Sequence, residues 1–341
     1  MNLTTLGWDG GWAQALADHE DPTLVPARVT AVHRGRYAVR GDDIAALVPA
    51  AGALEAAARG PAELPATGDW VALRRGEAIR HVLTRRTVLA RADDDAREEA
   101  LAANVDLCLV TTSLDMDLNL RRLERFVALA RAGGVPVLVV CTKGDLARDP
   151  VAEAAAVSAA TGAEAIVLSA RDGWGVNGLR ARLEPGRTHA LLGMSGVGKS
   201  TLVNLLLGEE RQRTLEVRER DARGRHATTH RELFALDGGA LLIDTPGLRL
   251  PRMASAAGVE DAFADVVAAA ERCRFADCRH AGEPGCGVAA AVEAGELAPD
   301  RLAAMRKLER EGLSAAERRA RTRAFHKRYR KEIRARTRHR R

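Results

Sequence analysis

The segment GMSGVGKS at residues 193–200 constrains the fold of this chain more than any other feature. It matches the pattern G-x-x-x-x-G-K-[ST], and it lies between the strand-like run HALL and the helix-like run TLVNLLLG. In that context the glycines let the backbone curl so that successive N–H groups face a phosphate, and the helix N-terminus adds its positive dipole end. The sequence therefore predicts a nucleotide-binding phosphate loop. Its expected nucleotide contacts are Gly193, Met194, Ser195, Gly196, Val197, Gly198, Lys199, Ser200 and Thr201.

A phosphate loop of this kind works with a divalent cation, and three side chains are expected to hold Mg²⁺. Ser200 would ligate the ion directly. Asp244 opens the segment DTPG, which follows the strand-like run GALLI and matches D-x-x-G, so its carboxylate would reach Mg²⁺ through a water. Upstream, the segment GRHATTH offers Thr228, with Thr229 as the second choice, for the same ion.

The residues expected at the γ-phosphate predict slow hydrolysis. Lys199 would bridge the β- and γ-phosphates, the Gly247 amide would contact the γ-phosphate, and Thr228 completes the predicted catalytic set. Leu248 follows DTPG, and an apolar side chain cannot orient an attacking water as the Gln of Ras-type enzymes does. His226 is the internal candidate for orienting that water, with a structural hydrogen bond or an RNA contact as its alternative role.

The segment TKGD follows the apolar run PVLVVC and resembles the [NT]-K-x-D signature of GTPases. A carboxylate at Asp145 can accept hydrogen bonds from guanine N1–H and the 2-amino group, a donor pair that adenine lacks. The stem of Lys143 would pack against the base. Thr142 replaces the commoner Asn, which predicts loss of an amide contact in the nucleotide loop and a somewhat weaker guanine preference. The predicted base contacts are Thr142, Lys143, Gly144, Asp145, Ser169 and Ala170.

The order of these motifs predicts a circularly permuted domain. Common GTPases place the phosphate loop first, whereas here TKGD and the Ser-Ala element precede GMSGVGKS, TT and DTPG. Permutation is physically allowed because a compact sheet with nearby ends tolerates new termini. The runs NVDLCLVTTS, PVLVVCT, AEAIVLSA, HALLGM and GALLIDT are apolar nearly throughout, as strands buried in a parallel sheet require. We therefore expect an α/β doubly wound fold.

A β-rich region precedes this domain. Residues 25–92 contain about five short alternating runs broken by glycine and charged turns, which suits a small barrel of the oligonucleotide-binding (OB) type. Its aromatic residues are few, chiefly Tyr37 and Trp70, so RNA binding would depend on backbone contacts from arginines. A purely architectural barrel is the alternative. The candidate arginines are Arg34, Arg36, Arg40, Arg74 and Arg75.

After the GTPase-like motifs the chain carries a metal-ligand pattern, C-x₄-C-x-H-x₅-C. Three thiolates and one imidazole fill a closed tetrahedral shell, which is typical of one structural Zn²⁺. In a reducing compartment such a group favours metal over disulfide bonds. The predicted ligands are Cys273, Cys278, His280 and Cys286.

The charge of the chain is concentrated at its end. The 341 residues carry 52 Lys+Arg and 46 Asp+Glu, a net charge of +6. Residues 301–341 hold 17 of those bases and 4 of the acids, so the rest of the chain is net acidic. A basic segment of this kind favours a polyanion such as RNA, with a solubilising tail or a membrane surface as alternatives. No apolar run is long enough for a transmembrane helix, and no signal peptide is evident.

Together, the barrel, the permuted GTPase motifs and the C-x₄-C-x-H-x₅-C module resemble the bacterial ribosome small-subunit-dependent GTPase A family, over nearly the whole chain from about residue 25. NVDLCLVTTSLDMDLNLRRLERFVALA and GRHATTHREL are similar to that family too, although Ala227 stands where it often has a third threonine. The resemblance implies a GTPase that binds GTP or GDP with Mg²⁺, binds a late 30S precursor and its rRNA, and is stimulated by that subunit.

The resulting expectation is a multidomain α/β protein, cytoplasmic, monomeric and without a membrane partner. One rival function is an ATP-using kinase or ATPase, which TKGD disfavours. Another is a non-catalytic RNA-binding assembly factor with a regulatory guanine-nucleotide site. The predicted segments are an N-terminal extension at 1–24, the OB barrel at 25–95, the permuted GTPase domain at 96–265, and a helical zinc-binding domain with a basic tail at 266–341.

Overall fold

The computed structural model describes residues 2–93, 95, 97–115, 118–208, 231–245 and 251–312. The strands are β1 Val25–His33, β2 Arg36–Gly41, β3 Ile44–Pro49, β4 Trp70–Leu73, β5 Ile79–Val82, β6 Val88–Ala92, β7 Glu98–Ala103, β8 Leu107–Ser113, β9 Val137–Thr142, β10 Glu164–Val167, β11 Thr188–Gly193, β12 Glu232–Ala235 and β13 Leu241–Asp244. The helices are α1 Gly10–Ala17, α2 Gly52–Ala57, α3 Leu120–Ala132, α4 Pro150–Thr161, α5 Val176–Arg180, α6 Lys199–Leu207, α7 Val259–Ala262, α8 Ala264–Glu271, α9 Gly287–Glu293 and α10 Arg301–Gly312.

A mainly parallel sheet forms the centre of the molecule, in the order β10-β9-β8-β11-β13-β12. The first four pairs are parallel, and β12 joins β13 in the antiparallel sense. The apolar runs predicted as buried strands all lie in this sheet, whose two faces are covered by helices, so most of their side chains are buried. Phe126 of α3 packs on one face, and Leu202 and Leu206 of α6 pack on the other.

The strand order confirms the circular permutation. Strand β11, which leads into GMSGVGKS, is central between β8 and β13, although β8, β9 and β10 precede it along the chain. The carboxyl ends of β8, β9, β11 and β13 therefore meet at one edge of the sheet. Ligands of open α/β sheets bind at that edge, and the described residues of the predicted nucleotide motifs lie there.

The N-terminal strands close into a small barrel of the predicted OB type. Strand β1 pairs with both β2 and β4, while β2 pairs with β3 and β4 pairs with β5. A parallel bridge between Ala50 and Ile79 joins the end of β3 to β5 and completes the ring. Its interior is apolar, with Val29, Val39 and Val71 almost fully buried.

Several contacts attach the barrel to the central sheet. Strand β1 extends the sheet through its antiparallel pairing with β12, where Ala31 lies opposite Glu232. Arg28 of β1 is buried and donates hydrogen bonds to the Thr188 hydroxyl at 2.8 Å and to the carbonyl oxygens of Leu6, Gly68 and Asn104. The barrel, the N-terminal segment and the start of β11 are therefore held together by one guanidinium.

The hairpin β6–β7 lies where a domain boundary was predicted. Val88 pairs with Ala103 at its open end, and Ala92 pairs with Glu98 at the other. Leu89 and Leu101 belong to the same apolar core as α3. The hairpin therefore packs with the nucleotide-binding domain, and the division of the chain at 95/96 stays a prediction.

The C-terminal helices pack against α3 through a buried ion-pair network. Arg301 at the start of α10 pairs with Glu124 of α3 at 2.5 Å and with Asp265 of α8 at 2.7 Å. Burial raises the pKa of Glu124, and the two nearby guanidinium groups oppose that shift. In the described ranges, none of the helices combines the length and apolar character that a bilayer crossing needs.

Candidate nucleotide site and metal centre

The phosphate loop leaves the end of β11 and enters α6 with the backbone that the glycine pattern predicts. Gly193 has φ +155°, and a Cβ there would lie 2.5 Å from the Thr111 carbonyl oxygen of β8. Gly198 has φ +88°, a left-handed conformation that an L side chain rarely adopts. Ser195 and Gly196 at the top of the loop are exposed. The loop is thus pressed against β8 while its outer turn is open to solvent.

Lys199 is held over this loop. Its side chain is buried, and Nζ donates to the carbonyl oxygens of Gly193 at 3.0 Å and Met194 at 2.6 Å. These bonds fix the ammonium group above the turn in which a phosphate would lie. The role of Lys199 as a phosphate ligand stays a prediction.

The two predicted magnesium ligands that the structure describes lie at neighbouring positions of the sheet edge. Ser200 is in the first turn of α6, and Asp244 ends β13 directly beside Leu191 of β11. Asp244 is buried, and the next residue, Thr245, donates its hydroxyl proton to the Leu191 carbonyl. A hydroxyl and a carboxylate oxygen are hard ligands of the kind that Mg²⁺ takes, so this donor set fits the ion.

Thr142 contacts the phosphate loop in spite of replacing Asn. Its buried hydroxyl lies 2.6 Å from the Val197 carbonyl oxygen and 3.0 Å from that of Thr112. A hydroxyl has one proton and donates one strong hydrogen bond at a time, so the shorter contact, with Val197, is taken as the hydrogen bond. The hydroxyl therefore contacts the phosphate loop from the position at which Asn is the commoner residue, and the weaker guanine preference stays a prediction.

The lysine of TKGD has a partner that sequence reasoning missed. Lys143 adopts a left-handed backbone with φ +55°, and its Nζ forms an ion pair with Asp115 at 2.7 Å. Asp115 in turn accepts a hydrogen bond from the Ser113 hydroxyl at the end of β8 at 2.9 Å. The available signal was that Asp115 follows a predicted strand, at the edge where the carboxyl ends of parallel strands meet.

The predicted base-recognition elements lie side by side. The Gly144 amide donates to the Leu168 carbonyl oxygen at 3.1 Å, which brings TKGD next to Ser169 and Ala170. Asp145 is exposed, and its carboxylate has no hydrogen bond or ion pair within the described residues. Trp174, a residue that the sequence did not single out, packs on Gly144 so closely that a Cβ there would lie 2.8 Å from its ring.

Four residues of the C-terminal region form a metal-ligand cluster. The ligand atoms of Cys273, Cys278, His280 and Cys286 all lie within 4.8 Å of one another. The sulfurs of Cys273 and Cys286 are each 3.4 Å from Nδ1 of His280, close to the spacing of about 3.6 Å that tetrahedral Zn–S and Zn–N bonds produce. The cluster is therefore able to bind a metal ion.

The other two cysteines do not belong to this cluster. Cys108 and Cys141 are buried in β8 and β9. Burial raises the pKa of the Cys141 thiol to about 12 and that of Cys108 further still, so both stay protonated. They serve as small apolar side chains of the sheet.

Part of the predicted site lies outside the described residues. This applies to the candidate water-orienting residue His226, to Thr228 and Thr229, and to Gly247. Thr201 is described, and it is exposed on the first turn of α6.

The fold and the site together define a P-loop GTPase of the circularly permuted class. The family model described as RsgA GTPase matches residues 82–254, which is more than half of the chain. The small ribosomal subunit biogenesis GTPase RsgA of Streptomyces coelicolor is 45% identical over 324 residues, covering 91% of this chain and 86% of that protein. The chain belongs to the RsgA GTPase family.

Other relatives and solved structures agree. The protein of the same name from Opitutus terrae is 45% identical over 340 residues, covering 93% of this chain and 92% of its own. The crystal structure of YjeQ from Thermotoga maritima superposes with a TM-score of 0.61 at 24% identity, covering 84% of this chain and 98% of that one. YloQ, a circularly permuted GTPase, gives a TM-score of 0.57 at 21% identity, with 86% and 96% covered. These likenesses confirm the fold.

Proposed function

We propose that this chain hydrolyses GTP to GDP and phosphate when the small ribosomal subunit stimulates it, during late maturation of that subunit. The observation that carries the proposal is the convergence of Lys199, Asp145 and Asp244 at one edge of the sheet. A phosphate ligand, a free carboxylate for guanine and a candidate metal ligand are all needed for GTP hydrolysis. The names of the relatives, which include small-subunit biogenesis, supply the partner.

The phosphate loop, TKGD and the Ser-Ala element would hold the nucleotide. Asp145 would accept from guanine N1–H and the 2-amino group, while Lys143, oriented by Asp115, would lay its stem along the base. Ser200, Asp244 and Thr228 would hold Mg²⁺, which when bound neutralises charge on the phosphates.

We propose that His226 orients the attacking water. Leu248 cannot do this, so intrinsic turnover would be slow and the subunit would supply the missing organisation. Replacing His226 with Ala is expected to lower stimulated turnover far more than nucleotide affinity. Equal stimulated turnover in the variant would remove His226 from the mechanism.

RNA is the proposed ligand of the barrel and of the basic C-terminal segment. Tyr37 and Trp70 are buried, so within the described barrel neither presents a face on which a base could stack. Arg34, Arg40 and Arg75 are exposed there, which favours contacts to the phosphate backbone. The proposed rRNA interface therefore depends on charge and is expected to weaken with salt.

The four-ligand cluster is proposed to hold one structural Zn²⁺, because three thiolates and an imidazole suit that ion. The amides of Gly287 and Ala289 donate to the sulfurs of Cys273 and Cys286 at 3.2 and 3.4 Å, and such bonds stabilise thiolates. We further propose the four segments at 1–24, 25–95, 96–265 and 266–341, a monomer, and a cytoplasmic location.

Phosphate release in multiple turnover, with and without purified 30S subunits, tests the proposal. Release from GTP that rises with 30S, resists excess ATP and disappears in Lys199→Ala is the expected result. The alternative function, a non-catalytic RNA-binding factor with a regulatory guanine-nucleotide site, predicts nucleotide binding without release under every condition. Competition by ATP would instead indicate a kinase or ATPase.

A further inference from the structure

Three arginines lie near the start of α3, and two of them form ion pairs. Arg121 pairs with the buried Glu124 at 2.9 Å and also with Asp300. Arg125, one turn further on, pairs with Glu311 and donates to the Pro251 carbonyl oxygen at 3.1 Å. Between them, the guanidinium of Arg122 has no hydrogen bond or ion pair with any residue that the structure describes.

The position of Arg122 is well defined all the same. Its backbone amide donates to Oδ1 of Asn119, the cap of α3, at 3.1 Å. The next residue, Leu123, is buried together with Phe126 against the sheet. Arg122 is therefore anchored at its backbone while its side chain is exposed.

Arg122 and the phosphate loop line the same cleft. This cleft, of about 60 Å³, lies between the first turns of α3 and the loop residues Met194–Val197, with the end of β8 as its floor. Among the described residues that line it, Arg122 is the only charged one. No described carboxylate in the cleft competes for the guanidinium, and the loop it faces is the proposed binding site of a polyanion.

We propose that Arg122 is a phosphate ligand supplied from α3, which binds the phosphate chain of the nucleotide across Ser195 and Gly196. The inference rests on the proposed nucleotide site. A guanidinium presents a planar fork of donors that matches phosphate oxygens, and such charge-assisted bonds are the strong ones. A cation at this edge would also stabilise the charge that develops on the phosphates during hydrolysis. Such help matters here because Leu248, which follows DTPG in place of Gln, cannot orient the attacking water.

The test compares Arg122→Ala, Arg122→Lys and the neighbouring Arg121→Ala in the full chain. Affinities for fluorescent GTP and GDP analogues are measured by titration, and guanosine, which lacks phosphates, is measured as a competitor. Arg122→Ala is expected to weaken both nucleotides about tenfold and to leave guanosine unchanged, with most of the affinity restored in Arg122→Lys. Arg121→Ala, which loses the ion pairs with Glu124 and Asp300, should keep its nucleotide affinity.

Two outcomes would overturn the inference. GTP and GDP affinities in Arg122→Ala equal to those of the unaltered protein would show that the guanidinium does not reach the phosphates. An equal loss for guanosine would show that Arg122 shapes the site instead of contacting phosphate. Two results distinguish this inference from the proposed function. If the unaltered protein binds no GTP, the proposed function is wrong. If GTP binding is lost in Lys199→Ala but kept in Arg122→Ala, only the inference about Arg122 is wrong.

Discussion

Replacing Thr142 with Val tests how the base-recognition segment is joined to the phosphate loop. The two side chains have nearly the same shape, so the change removes the hydroxyl and leaves the packing of β9 in place. The lost contact is the hydrogen bond of 2.6 Å to the Val197 carbonyl oxygen. Valine has no donor in its side chain to replace it.

The expected magnitude follows from the burial of this contact. Thr142 is 1% exposed and Val197 8% exposed, so water cannot easily satisfy the carbonyl after the change. A buried acceptor that loses its donor costs about 1–3 kcal/mol. We expect the free energy of unfolding to fall by about 1–2 kcal/mol, and the loop, no longer held in place, to bind GDP about three- to tenfold more weakly.

Urea denaturation and titration with a fluorescent GDP analogue measure the two effects. Thr142→Asn should retain both properties, because an amide can donate to the same carbonyl. Thr161→Val is the matched control: its hydroxyl donates to the Val157 carbonyl within α4 at 2.8 Å, so this change should alter stability without altering GDP affinity. If Thr142→Val left both quantities unchanged, the argument that the hydroxyl joins the two segments would be refuted.

Three further changes test other parts of the molecule. Cys286→Ser removes one thiolate of the metal cluster, so the zinc content measured by elemental analysis should fall well below that of the unaltered protein. Arg28→Met leaves the carbonyls of three segments without their donor and should lower the free energy of unfolding in urea by about 3 kcal/mol. Burial lowers the pKa of His189 below its ordinary value of 6.5, so the unfolded state binds more protons in acid. Stability should therefore fall as the pH drops below about 6.5, and less steeply in His189→Gln.

Each of these has a control or an opposing result. Cys108→Ala alters a buried thiol outside the cluster and should keep the metal; equal zinc content in Cys286→Ser would argue against the assigned ligands. Unchanged stability in Arg28→Met would mean that the bonds of Arg28 contribute no net free energy. A pH dependence identical in His189→Gln would assign the acid sensitivity to other groups.

The sequence predicted the nucleotide-binding sheet well because buried parallel strands leave a strong pattern. Five apolar runs became five strands, and the motif order indicated the permutation before any strand pairing was known. The metal cluster was equally predictable, since its four residues lie within 14 positions of the sequence and their spacing alone indicates a metal site. Such features are local, so they can be predicted from neighbouring residues.

Features that depend on distant parts of the chain were not predictable. The ion pair of Asp115 with Lys143 exists because β8 and β9 end at the same edge of the sheet. Arg28 stands in a strand pattern where a charged residue suggests an exposed position, yet three separate segments bury it. The sequence between β6 and β7 is rich in aspartate and arginine, which resembles a linker, but β6 and β7 pair with each other, and Leu89 and Leu101 pack in the same core as α3.

The pairing of β1 with β12 has a practical consequence for dissecting this protein. Without the barrel, β12 would be an edge strand of the nucleotide-binding sheet. In the full chain, Ala31 of β1 pairs with Glu232 of β12 and covers that edge. A fragment that begins after the barrel would expose the backbone amide and carbonyl groups of β12, and exposed edge strands tend to pair with strands of other molecules. Truncations that remove the barrel, residues 25–82, are therefore expected to self-associate, and any loss of activity in them would report on that aggregation as much as on the missing barrel.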